Sequence, residues 1–176
     1  MSSLFAKAGA EAAGAVRDPA APPDGRHDFD FFAGTWRVSH RRLRRRLAAD
    51  TRWEEFDGAC ESRPIIGGLG NVDDNLLHLP ASTYRAATLR LFDPATGDWS
   101  IWWVDGRTMQ LEPPVRGRFE NGTGTFFGDD TIDGRPIRVR FVWSDITLSS
   151  ARWAQAFSAD GGASWETNWT MDFLRA

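Results

Sequence analysis

Bulky apolar and polar residues alternate with a period of two along much of the chain. Val139, Phe141 and Trp143 alternate with Arg138, Arg140 and Val142. Trp153, Gln155 and Phe157 alternate with Arg152, Ala154 and Ala156, and Trp165, Thr167, Trp169, Met171 and Phe173 alternate with Glu166, Asn168, Thr170 and Asp172. This pattern marks strands with one buried and one wet face, which is how antiparallel sheets behave. Strands are expected at 35–47, 52–63, 71–77, 82–92, 99–104, 115–121, 124–130, 137–144, 149–158 and 165–174. The segments between them carry turn chemistry. Asp93 to Asp98 reads as a hairpin loop, and Asn121-Gly122, Asp133-Gly134 and Asp160-Gly161-Gly162 supply residues that tolerate positive φ. No core stretch shows the apolar stripe of a crossover helix, which argues against βαβ units. The expected fold is all-β, an antiparallel up-and-down barrel of about ten strands. Closure removes edge strands and leaves an interior wide enough for a small ligand.

The first 26 residues differ from the rest. They are rich in Ala, Gly and Pro, and Lys7 and Glu11 interrupt any continuous apolar run. They read as a flexible leader, not a secretory signal, so a cytoplasmic location is expected. The barrel domain is assigned to 27–176. It opens with a short helical turn over 28–33, whose Phe29 and Phe32 face one side.

Composition narrows the picture further. The chain has 176 residues, 41% hydrophobic and 26% charged, ordinary for one globular domain. No segment approaches the ~20 apolar residues of a membrane-spanning helix. The net charge of -3 gives no overall pull toward nucleic acid. Cys60 is the only cysteine, so neither an intrachain disulfide nor a multi-cysteine zinc site is expected. Nine Trp and twelve Phe against a single Tyr point to a large aromatic interior.

The segment Phe31-Phe32-Ala33-Gly34-Thr35-Trp36 resembles the Gly-x-Trp opening of the calycin superfamily, the lipocalins and fatty-acid-binding proteins. That resemblance implies a short turn closing the barrel floor, with the tryptophan of the first strand packed over it. Further segments are similar to a bacterial family of lipocalin-like barrels: Arg63 to Asp73, Phe92-Asp93-Pro94 and Ser158 to Glu166. What this implies is a fold and not a reaction. Haem-binding barrels of the nitrobindin type also open with Gly-Thr-Trp but take an iron ligand from a late histidine. Here the histidines are His27, His40 and His78, so the residue that would hold haem is missing. No cofactor and no metal are expected.

The candidate site residues follow from the alternation. Trp53, Trp99, Trp103, Trp153 and Trp169 are expected to line a pocket that favours flat or apolar ligands. Gln155 shares the face of Trp153 and Phe157, where an inward amide needs a partner that a ligand carbonyl would supply. His40 shares the face of Trp36 and Val38. If Trp53 points inward, so do Glu55 and Asp57, and either carboxylate near His40 forms an acid–base pair for a cofactor-independent cyclase, isomerase or hydrolase. If Phe56 and Cys60 point inward instead, Glu55 faces the arginines of the preceding strand. The oxygens of Asn71, Asp73, Asp74 and Asn75 read as a turn at the barrel rim. The expected partner is a small apolar or aromatic molecule, with no nucleic acid and no membrane. A homodimer is the protein assembly left open.

Overall fold

The computed structural model describes residues 24–176; of the expected leader, residues 1–23 lie outside the described residues. A short 3-10 turn, Asp30–Phe32, precedes the first strand. The strands are β1 (Gly34–Leu43), β2 (Trp53–Ile65), β3 (Gly70–Leu79), β4 (Ser82–Asp93), β5 (Asp98–Asp105), β6 (Gln110–Leu111), β7 (Val115–Glu120), β8 (Thr123–Ile132), β9 (Arg135–Ser144), β10 (Ser150–Ser158) and β11 (Glu166–Arg175). The sheet runs β4-β3-β2-β1-β11-β10-β9-β8-β7-β5, and pairing of β4 with β5 closes it. The result is the expected ten-strand antiparallel barrel, with β6 a two-residue addition to β5. All ten expected segments form strands because each pairs a period-two pattern with flanking turn residues. Asn121 and Asp133 adopt φ of 50° and 51°, a conformation that these residues tolerate.

One end is sealed by aromatic rings. Phe29 and Phe32 are both buried, as their spacing requires. Phe32 stacks on Trp36 and meets Trp143 and Phe173 edge-on, while Phe29 meets Trp99 and Phe119 edge-on. Trp36 is fully buried and donates its indole N–H to the Phe32 carbonyl at 2.8 Å. Arg175 at the end of β11 lies 4.2 Å from the Trp36 ring and donates to the carbonyls of Phe31 and Ala33. One guanidinium thus satisfies the carbonyls of the floor turn and ties the first strand to the last. The floor begins earlier in the chain than residue 27, because the Gly25 carbonyl accepts the Trp99 indole N–H at 3.0 Å.

Three expectations change. The strand expected over 35–47 ends at Leu43. The next residues leave the sheet through Leu47 and Ala49 at positive φ, and the Leu47 N–H is donated to Glu166 at 2.7 Å. Five arginines in six residues carry no apolar alternation to mark that end. Trp165 does not continue the inward face of β11. A bulge between Gln155 and Ala156 leaves Asn168 as an extra residue, and the phase flips before it. Trp165 packs outside the barrel on Phe127, with Arg140 4.6 Å from its ring. Asn71, Asp73 and Asn75 do not form a rim turn. They lie on β3 and face inward.

Candidate functional site

Above the aromatic floor the barrel holds a cavity of about 250 Å³. Its walls come from alternate residues of strands on opposite sides. Trp169 on β11 is met edge-on by Trp103 of β5 at 5.8 Å and by Trp153 of β10 at 5.7 Å. Strands β5 and β11 are not neighbours, so the Trp103–Trp169 contact crosses the lumen. Phe141 on β9 meets Trp153 at 4.9 Å and extends the same apolar wall. Edge-to-face indoles present flat, polarisable surfaces at right angles, a shape suited to a planar apolar ligand.

The bottom of the cavity is polar and buried. Arg90 on β4 pairs with Asp73 on β3 at 2.7 Å and donates to Asn71 at 2.8 Å. Asp73 also accepts from the Asn75 amide and from the Thr88 backbone N–H. The Arg90 guanidinium lies about 5 Å from the ring centres of Phe29, Phe32 and Trp143. Both charges are almost completely buried, and the pair holds because each partner also has hydrogen bonds. Nothing local in the chain marks this cluster: Asp73 and Arg90 lie on different strands and meet through the β3–β4 pairing.

The sequence-expected residues divide into groups. Trp103, Trp153, Gln155 and Trp169 line the cavity together. Trp99 belongs to the floor below it, 1% exposed. Trp53 is on the outer face, 4.6 Å from the Arg41 guanidinium. Of the two registers open for β2, the barrel adopts the one with Phe56 and Cys60 inward. Glu55 is therefore exposed and pairs with Arg41 at 3.4 Å, as cross-strand charge matching favours. Gln155 donates to Asn168 at 2.8 Å, so one of its N–H groups already has a partner within the protein.

His40 points inward but is not free. It stacks on Phe56 at 4.6 Å, accepts the Trp169 indole N–H at 3.3 Å and has Gly58 against its other edge. Burial, with the nearby Arg42 charge, lowers its pKa to about 3, so it is neutral at physiological pH. His40 and Glu55 stand on opposite faces of the sheet and form no acid–base pair. Burial likewise pushes the Cys60 thiol up, keeping it protonated.

The mouth of the cavity carries charges of both signs. On one side, Arg42 and Arg46 lie over aromatic rings: Arg42 is 5.2 Å from Trp169 and Arg46 is 5.8 Å from Phe157. Beside them the sheet is split. Beyond Ile101, β5 pairs with β6 and no longer with β7, and β8 past Phe127 pairs only with β9. Glu112, Asp129 and Asp130 line this gap. Glu112 is exposed along much of its length, but its carboxyl is shielded from water and faces Asp130 and Asp105. Desolvation first, then those two charges, push it up to about 7 against the opposing charge of Arg46.

No known family model matches the chain, and no curated protein matches it. Among solved structures the chain is similar to the S-type phycobiliprotein lyase CPES from Guillardia theta. The TM-score is 0.56 at 10% sequence identity, covering 84% of this chain and 90% of that chain. The likeness shows a lipocalin-like barrel as the fold. Among the described residues no helix is long and apolar enough to cross a membrane, and no group of three or more His, Cys, Asp or Glu is placed to hold a metal ion.

Proposed function

We propose that this barrel binds a small, flat, hydrophobic or aromatic molecule. The observation that carries the reading is the cavity bounded by Trp103, Trp153 and Trp169 above a sealed floor. A barrel evolved only to pack solidly would fill that space with side chains, because interiors approach crystal density. An empty, aromatic-walled space that opens at one end fits the general form of a ligand site. The Gln155–Asn168 pair and the buried Arg90 supply the few polar groups that orient a ligand within such a wall. The structural neighbour, a phycobiliprotein lyase, has the same kind of barrel, which supports the reading at the level of the fold.

Titration with the neutral probe N-phenyl-1-naphthylamine tests this reading. Saturable quenching of tryptophan emission at micromolar concentrations is expected. Trp103→Ala and Trp153→Ala should each weaken binding by ~10-fold through lost stacking, while Trp53→Ala on the outer face should leave it unchanged. Absence of binding up to millimolar probe would favour a purely structural barrel.

A further inference from the structure

We infer that the ligand is amphipathic, an aromatic ring system bearing a carboxylate, and that Arg46 with Arg42 holds this carboxylate at the cavity mouth. The inference rests on the cavity reading above and adds the head group.

Arg46 follows β1 in the loop that leaves the sheet and turns back over the mouth. Its guanidinium is shielded enough that burial, with Arg42 and Arg107 close by, lowers its pKa. Among the described residues it forms no ion pair, and its Nε is buried without a hydrogen-bond partner. A shielded, unpaired guanidinium is costly, and an arriving anion relieves that cost. Glu112 is near enough for its charge to act on Arg46, though the two form no ion pair, and other carboxylates on this side are engaged elsewhere. Asp105 grips Arg107 with both oxygens, Asp50 pairs with Arg45 and Arg52, and Glu166 accepts the Leu47 N–H. Glu54 lies 3.6 Å from Arg42, and the Tyr84 hydroxyl lies close to the same guanidinium.

The arginines clustered at the mouth set the direction of the ligand. An open groove of about 710 Å³ adjoins the cavity on the arginine side and shares Arg42, Arg46 and Arg107 with it. The neighbouring gap is lined by Glu112, Asp129 and Asp130 and by no arginine, and it shares Phe157, the ring beneath Arg46. An anionic group is drawn to the groove, where five arginines outnumber Glu54 and Asp133. The planar fork of arginine matches a carboxylate in a bidentate manner. Because Arg42 and Arg46 already lie over the faces of Trp169 and Phe157, a carboxylate bound there leaves its ring pointing down among the indoles.

The test compares 2-naphthoate with its neutral isostere 2-naphthamide on the full chain, by calorimetry and tryptophan quenching. The wild-type protein should bind naphthoate at least ~10-fold more tightly. Arg46→Met keeps the apolar stem and should remove most of that preference while changing naphthamide affinity less than about twofold. Arg85→Met, on the outer face of β4, should change neither. Raising salt should weaken naphthoate alone, which reports the charge without any substitution. Equal binding of the two probes to wild type, or a preference that survives Arg46→Met, overturns the head-group assignment and leaves the cavity reading standing. Failure of both probes to bind overturns the cavity reading and this inference with it.

Discussion

Trp36 does three jobs from one position. It fills the floor, donates to the Phe32 carbonyl and offers its ring to Arg175. Trp36→Ala is expected to cost ~3–5 kcal/mol in urea unfolding, since the space it leaves is enclosed on all sides. A loss under about 1 kcal/mol would show that the floor reforms without it. His40 makes a pH prediction. Its folded pKa of about 3 lies below the unfolded value of 6.5, so the unfolded chain takes up a proton between them. Stability is constant above the unfolded pKa and falls as pH drops from 6.5 toward 3. This group alone should make the fold about 2 kcal/mol less stable at pH 5 than above pH 7. His40→Gln keeps an acceptor for Trp169 and should flatten that part of the profile; an unchanged slope would assign the acid sensitivity to other groups. At this scale the sequence was legible where alternation sets direction, as for Trp36, Trp103 and Trp153. Trp53 and Glu55 were not, because β2 offers apolar residues on both phases and only pairing with β1 decides between them.

The loop after β1 is the element on which the mouth depends. It carries Arg46, passes through two residues at positive φ, and is tied to the barrel by the Glu166 carboxylate on the Leu47 N–H. Glu166→Ala leaves that N–H unpaired in a half-buried place and should cost about 1–2 kcal/mol in urea unfolding. It should also weaken naphthoate binding more than naphthamide binding, because Arg46 loses its fixed position. A stable variant with unchanged naphthoate affinity would mean the loop is held by other contacts. Strand positions were readable in the sequence because turn residues punctuate them. The end of β1 was not, since consecutive arginines show no face. The reversal of Trp165 was hidden by the extra residue in β11, which shifts the period by one without any local mark. The polar ladder of Asn71, Asp73 and Asn75 looked like a loop because its partner, Arg90, belongs to another strand.

Across the whole molecule, closure by β4–β5 pairing and the packed floor leave a single polarity: one end dry and aromatic, the other open and charged. The alternation, the turn spacing and the Gly-Thr-Trp segment carried the barrel in the sequence. The cavity could not be read there, because its volume depends on how indoles from non-adjacent strands cross the lumen. The nine tryptophans make the most direct test available. Each indole N–H gives its own proton–nitrogen NMR signal, assignable by single substitution. On titration with N-phenyl-1-naphthylamine, the account predicts large shifts for Trp103, Trp153 and Trp169. Trp53 and Trp165, on the outer face, should stay in place. Shifts confined to those two outer indoles, or no shift at saturating probe, would contradict a ligand site inside the barrel.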